Sequence, residues 1–205
     1  TTLYILLLDY LLGNILKYLQ NEFENCYEEK KSKFIAFFMP YDKFNDVMKR
    51  LKEEHPKARH FVYAYRYLNE FDQIVENCSD DGEPRGTSGK PSLAVLSGAQ
   101  IINSAVIIVR YFGGVKLGTG GLVRAYSSSV NEVINVSELF EYKKLETAKL
   151  KCDYSELSKL EYLLKQENIT IKSKDFLEEI IVNIELSEKE LKDLLLKLPR
   201  NIILQ

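Results

Sequence analysis

The segment AVIIVRYFGGVKLGTGGLVRAY, Ala105–Tyr126, decides how this chain folds. Its first part, Ala105–Tyr111, is apolar and rich in β-branched residues, which predicts a buried central strand. Glycines end that strand, and the apolar spacing then predicts a helix from Leu122 to about Val136. Glycine allows backbone with positive φ or close approach. The segment therefore predicts a strand, a shaped loop and a helix in direct succession.

A second glycine cluster, SDDGEPRGTSGKP (Ser79–Pro91), precedes this segment, and nine of the ten glycines lie between Ser79 and Ser127. A hydrophobic stretch separates the two clusters. We expect both loops to fold beside one another and to form one solvent-facing, anion-attracting groove.

Periodicity also predicts elements outside the two clusters. Strands are expected at Phe34–Pro40 and His60–Leu68, with a helix from Asp42 to about Glu54 between them. Pro91–Ser97 is interpreted as a short helix. The stretch NEFENCYEEKKSK, residues 21–33, is interpreted as a charged bridge, and NEFDQIVENC, residues 69–78, as a loop or hairpin tip.

The composition changes after Phe140: no glycine occurs from Glu138 to Gln205, and Lys, Glu and Leu dominate. The pattern predicts the order βαββαβ, with helices at Glu156–Glu167 and Ser187–Leu198. Ser155 and Ser187 are expected helix caps, and Glu190 completes a capping box with Ser187. The chain is therefore predicted to be α+β, with one domain at residues 1–140 and a second, ferredoxin-like domain at residues 141–205.

Bulk properties limit the classes of function. The net charge of −2 gives no general attraction to nucleic acid or membrane, so such binding requires a local basic patch. Three widely spaced cysteines favour a reducing cytoplasm over a disulfide framework or a zinc site. The apolar start, Thr1–Gln20, is interpreted as a buried strand or helix rather than a secretion signal. No cofactor, metal centre or membrane contact is expected.

Basic residues and glycines form the candidate binding site. A strand that runs through glycines into a helix N-terminus provides N–H groups for an anion. The functional interpretation is a phosphate or nucleic-acid site, and the alternative is a tight structural turn. The candidate residues are Arg85, Lys90, Arg110, Gly113, Gly114, Lys116, Gly118, Thr119, Gly120, Gly121 and Arg124.

An acidic cluster lies in the first glycine loop, at Asp80, Asp81 and Glu83. These carboxylates are suited to Mg²⁺ binding or acid–base work with His60, or to structural pairing within the turn and with the other loop. Structural pairing is favoured, because acidic turn residues usually accept hydrogen bonds from their own backbone. His60 is itself either a general base or a strand-edge residue.

These clusters, together with KKSKFIA (Lys30–Ala36) and ARHFVYAYR (Ala58–Arg66), resemble the YigZ/IMPACT family, in its two-domain bacterial branch. The resemblance implies a first domain similar to the second domain of ribosomal protein five of the small subunit. It implies a second domain similar to the last domain of elongation factor G. Val62 stands where the family pattern has cysteine, which argues against a Cys–His catalytic pair in that strand.

The resemblance implies a cytoplasmic protein linked to translation, whose eukaryotic relatives compete for the coactivator of the starvation-sensing initiation-factor kinase. The first hypothesis is therefore a regulator that binds RNA, the ribosome or a translation factor. The second is an enzyme acting on a phosphorylated or nucleotide-like small molecule. The third is a protein-interaction adaptor.

Overall fold

The computed structural model describes residues 15–205, and the predicted element at the apolar start lies largely outside them. The chain divides into two compact units, Thr1–Tyr142 and Lys143–Gln205. Within the described part of the chain, no helix is long and apolar enough to cross a membrane.

The first unit is built on a five-stranded antiparallel sheet with the order β2-β3-β6-β4-β5. Its central strand is the predicted apolar one, and every residue of that strand except Tyr111 is buried. A small sheet pairs β1 with β7. The strands are β1 (Lys17–Tyr18), β2 (Phe23–Glu29), β3 (Ser32–Pro40), β4 (His60–Leu68), β5 (Ile74–Ser79), β6 (Ser104–Tyr111) and β7 (Phe140–Glu141).

Helices cover both faces of this sheet: α1 (Phe44–Glu54), α2 (Gly89–Gly98) and α3 (Gly118–Val136). Alternate residues of a strand point to opposite faces, so β6 supplies two cores. Val106 and Ile108 belong to the core that contains α2 and α3 residues. Ala105, Ile107 and Val109 pack with α1. Arg110 continues the row of Val106 and Ile108, which places a charged side chain at the edge of an apolar layer.

Of two sequence interpretations of the first unit, one is wrong and the other is correct only in part. The stretch interpreted as a charged bridge contains β2, in which Phe23 and Tyr27 pack on the core while Glu24 and Glu28 face solvent. The stretch interpreted as a loop or hairpin tip does contain the tip of the β4–β5 hairpin, at residues 69–73, but its second half belongs to β5. Both are edge strands with an exposed face, and the polar residues on that face, Glu24 and Glu28 in β2 and Glu76 in β5, hide the apolar pattern. The β2–β3 turn also lacks a glycine signal, because Lys30 and Lys31 occupy its two positive-φ positions.

A third correction concerns the second glycine cluster. Gly118, Gly120 and Gly121 were expected in a loop, but α3 begins at Gly118. Glycine has a poor helix propensity, so the apolar period starting at Leu122 does not reveal this first turn.

The second unit has the predicted element order: β8 (Leu145–Cys152), α4 (Leu157–Gln166), β9 (Thr170–Phe176), β10 (Ile180–Ser187), α5 (Glu188–Leu195) and β11 (Ile203–Leu204). Its antiparallel sheet has the order β11-β8-β10-β9. The buried residues alternate along β10 and pack against leucines of both helices. The same period-2 pattern made the strand predictable.

The capping box of α5 is confirmed, whereas the cap predicted for α4 is wrong. Ser187 accepts a hydrogen bond from the Glu190 N–H, and the Glu190 carboxylate accepts one from the Ser187 N–H. Glu156 occupies the N-cap position of α4 without a side-chain capping hydrogen bond, and Ser155 is exposed before it.

Replacing Ser187 tests the capping box. We expect Ser187→Ala to lower the free energy of unfolding by about 1 kcal/mol, since an orphan helix N–H loses its acceptor. Ser155→Ala is the matched control and should leave stability unchanged. Urea unfolding of the full chain measures both, and equal effects would contradict the assignment.

The same box predicts a pH dependence. Hydrogen bonds from the Ser187 backbone and from Lys143 lower the pKa of Glu190 from 4.5 to about 2. A carboxylate with a lowered folded pKa stabilises the fold above its unfolded pKa, and this stabilisation is lost as pH falls through the folded value. The difference in stability between wild type and Glu190→Gln should therefore shrink from pH 5 toward pH 2. A constant difference would refute the coupling.

Candidate functional site

The end of the central strand carries the charged centre of the first unit. Arg110 lies opposite Phe34 of β3 and His60 of β4 in the sheet register. Only 8% of Arg110 is exposed. Its guanidinium lies 5.4 Å from the centre of the Phe34 ring and 5.8 Å from that of Phe112. Aromatic faces attract a guanidinium, and they also hold its plane in a fixed orientation.

A carboxylate from the first glycine loop pairs with this arginine. Arg110 Nη1 donates to Glu83 Oε1, and the hydroxyl of Tyr126 in α3 donates to the same oxygen at 2.8 Å. Burial, together with the Glu83 carboxylate, raises the pKa of Tyr126 far above its ordinary value, so this hydroxyl remains a donor. Three segments distant in sequence are thereby joined: the Ser79–Pro91 loop, the end of β6 and helix α3.

Asp80 and Asp81, the other carboxylates of the acidic cluster, stabilise the Ser79–Pro91 loop. Asp80 accepts hydrogen bonds from the backbone N–H groups of Gly86, Ser88 and Gly89 and from the Ser88 hydroxyl. Burial alone would raise the pKa of Asp80, but these hydrogen bonds outweigh it and lower the pKa. Asp81 accepts from the Phe61 N–H at 2.6 Å. Both residues therefore serve the structure, as the favoured interpretation predicted.

The carboxylates of this loop are occupied by hydrogen-bond donors of the protein itself. Among residues 15–205, no group of three or more His, Cys, Asp or Glu side chains is placed to hold a metal ion. The oxygens of Asp80 face backbone donors, which leaves this carboxylate little capacity to act as a cation ligand.

His60 is held in one tautomer by the same loop. Its Nδ1 lies 2.8 Å from the Asp81 carbonyl oxygen. A carbonyl oxygen only accepts, so Nδ1 carries the hydrogen and Nε2 of the neutral ring is left as an acceptor. The proton is assigned here from this contact. His60 thus presents a defined ring edge beside Arg110.

The second glycine segment lets the backbone pass close to β3. A Cβ added to Gly113 would lie 2.0 Å from the Lys31 carbonyl carbon, and the Gly113 N–H donates to the Ser32 hydroxyl at 3.1 Å. Gly118 begins α3 with a left-handed φ of 71°. Among residues 15–205, no side chain caps α3, which leaves N–H groups of its first turn available to a ligand.

These elements enclose a cleft of about 670 Å³. Basic residues line it from two sides: Lys57 and Arg59 precede β4, while Arg110 and Lys116 follow the course of β6 into α3. Glu83 is its carboxylate, and Phe112 adds an aromatic ring that is 59% exposed. The remaining lining residues are His60, Pro84, Tyr111, Leu117, Gly118, Thr119 and Leu122.

The cleft contains some of the predicted site residues and excludes others. Those that line it are His60, Glu83, Arg110, Lys116, Gly118 and Thr119. Those outside its lining are Asp80, Asp81, Arg85, Lys90, Gly113, Gly114, Gly120, Gly121 and Arg124. Lys90 lines a separate hollow with Gly86, Val123 and Ser127. Exposed Arg124 lies on α3 away from the cleft lining.

Sequence reasoning missed two basic residues of this cleft, Lys57 and Arg59. Both stand in the segment PKARH, just before β4, so the local run of basic residues was available as a signal. Only the pairing of His60 with Arg110 across neighbouring strands shows that this segment meets the second glycine cluster. The cleft therefore has a positive rim, and it can bind an anion.

Replacing Gly113 tests how the cleft wall is built. Gly113→Ala should destabilise the first unit by more than about 2 kcal/mol, because its Cβ would overlap backbone that cannot move aside. Gly120→Ala is the matched control: apart from the neighbouring backbone of its own helix, no described atom lies within 4 Å of its added Cβ. A helical Gly→Ala change there should be neutral or stabilise by up to about 1 kcal/mol. Thermal unfolding compares the two, and a tolerated Gly113→Ala would disprove the close approach.

Comparisons with known proteins match both units. Residues 30–134 match the family model described as the Impact N-terminal domain. Residues 150–199 match a domain of unknown function, DUF1949. An "IMPACT family member" of Haemophilus influenzae is 37% identical over 168 residues, which cover 80% of this chain and 82% of the relative.

Two further comparisons extend over most of the chain. The "IMPACT family member YigZ" of Escherichia coli is 34% identical over 174 residues, covering 83% of this chain and 85% of that protein. A crystal structure titled as that of a hypothetical protein aligns with a TM-score of 0.60 and 31% identity, covering 92% of this chain and 95% of its own.

Proposed function

The chain belongs to the IMPACT family, and on that premise we propose that it binds single-stranded RNA through the basic cleft, as a translation-linked protein of the cytoplasm. The observation that carries the proposal is the convergence of Lys57, Arg59, Arg110 and Lys116 on one cleft. Phosphate contacts by Lys and Arg supply most of the affinity of nucleic-acid binding.

Three basic side chains of the cleft rim, Lys57, Arg59 and Lys116, are available to bind a ligand. Among the described residues, no carboxylate forms an ion pair with Lys57, Arg59 or Lys116, whereas Arg110 is paired with Glu83. An unpaired basic side chain gives up only water and counterions when it binds phosphate. The overall charge of −2 does not oppose this, because the potential inside a cleft is set by its own lining.

Phe112 favours an unpaired strand over a duplex. It is exposed beside the Arg110 guanidinium, where a base can stack on its face. Proteins that bind single strands combine a basic groove with such aromatic platforms. The A-form duplex keeps its bases stacked inside and offers no face to this ring.

The proposed fold likenesses point toward the same class of partner. We propose that the first unit is similar to the second domain of small-subunit ribosomal protein five, and the second unit to the last domain of elongation factor G. Fold alone does not establish function, so the proposal depends on the cleft.

The test measures binding of a fluorescent single-stranded oligoribonucleotide by anisotropy at several salt concentrations. Wild-type affinity should fall steeply between about 50 and 200 mM salt. The double variant Lys57→Glu/Lys116→Glu should lose at least about tenfold in affinity, with a salt slope smaller by about 2.

The control is Lys90→Glu/Arg124→Glu, which changes the net charge equally but on exposed residues outside the cleft lining. This control should retain most of the affinity. Equal losses in both double variants would assign binding to general charge, and an affinity insensitive to salt would reject the proposal.

A further inference from the structure

The floor of the cleft holds a buried cation whose donors are not all used. An arginine has five N–H donors, and Arg110 uses Nη1 on Glu83. Its Nε is buried without an acceptor, and Nη2 has none among the described residues. A charged donor without an acceptor costs free energy, and Nη2, unlike Nε, is not fully buried, so a ligand oxygen can supply its acceptor.

We propose that the cleft binds the terminal phosphate of an RNA end, a phosphate monoester, in preference to an internal phosphodiester. This inference rests on the proposed function and specifies the chemical group that the cleft recognises.

Donors line the same cleft from several elements. Arg110 comes from the end of β6, Lys116 from the loop that follows, and Thr119 from the first turn of α3, and all three line the cleft. The uncapped N-terminus of α3 adds N–H groups and the positive end of a helix dipole. Donors from several directions are best matched by a group with several free oxygens.

A phosphate monoester has those oxygens. It carries three terminal oxygens and a charge of about −1.5 to −2 at pH 7. An internal phosphodiester has a single charge and two free oxygens, and its strand must leave the site in both directions. Glu83 neutralises the charge of Arg110 in their ion pair, so Arg110 contributes N–H donors, and the positive charge that attracts the phosphate comes from Lys57, Arg59 and Lys116.

The size of the cleft also favours a chain end. Its volume of about 670 Å³ lies within the range of pockets for small ligands. That space suits a terminal nucleotide whose base reaches Phe112 at the rim, rather than a long strand. Binding of the phosphate at the floor and of the base at the rim would orient the end of the RNA.

The experiment compares one short oligoribonucleotide in three forms: with a 5′-phosphate, with a 3′-phosphate, and with hydroxyls at both ends. Anisotropy of an internally labelled strand gives each affinity, and a nucleoside 5′-monophosphate serves as competitor. At least one phosphorylated form should bind about tenfold more tightly than the hydroxyl form. The monophosphate should displace it.

Two variants locate the effect. Thr119→Val should reduce the preference for the phosphorylated end, because it removes a hydroxyl from the cleft lining and leaves the charge unchanged. Lys116→Gln should reduce it further, whereas Arg124→Gln, which removes one exposed charge from α3, should leave it unchanged. These positions are exposed, so the variants should fold even where a change at buried Arg110 does not.

The outcomes separate this inference from the proposed function. Equal, salt-dependent binding of all three forms keeps RNA binding and overturns the terminal phosphate. Binding of the monophosphate without any RNA overturns RNA binding and keeps the phosphate site. Binding of none of these ligands overturns both.

Discussion

The buried ion pair between Arg110 and Glu83 is the interaction on which the first unit and its cleft depend. Both side chains are almost inaccessible to water, and Tyr126 hydrogen-bonds the same carboxylate. Removing one partner of a buried pair leaves an uncompensated charge, which typically costs about 3–5 kcal/mol. The pair therefore fixes the Ser79–Pro91 loop, strand β6 and helix α3 relative to one another. Together these three segments form the walls of the cleft.

Gly113 and Asp80 allow the backbone to adopt this arrangement. Gly113 allows the chain to leave β6 against the backbone of Lys31 and Ser32, where any Cβ would overlap. Asp80 gathers the N–H groups of the other loop and fixes where Glu83 stands. The two glycine clusters therefore contribute shape, while the basic residues that surround them contribute charge. This division explains why most of the glycines do not themselves line the cleft.

Elements with a clear local hydrophobic pattern were predicted correctly from the sequence, and elements without one were missed. The apolar run of β6 and the strict alternation of β10 are set by burial and were readable. The edge strand β2 was not, because glutamates on its solvent face make the segment look uniformly polar. The start of α3 was missed for another reason: its first turn holds three glycines, which have a poor helix propensity, and of these Gly118 has a positive φ and Gly121 lies close to Leu117.

The sequence by itself determined the α+β class, the element order of the second unit and the family, because periodicity, composition and two glycine motifs are local properties. Only the tertiary structure decided which charges share a cleft. Strand pairing brings Lys57 and Arg59 to Arg110 across the sheet. Arg124 follows Leu122 by two residues, and a rotation of about 100° per residue turns it away from the cleft. Long-range pairing and side-chain direction are set by packing, which no local pattern encodes.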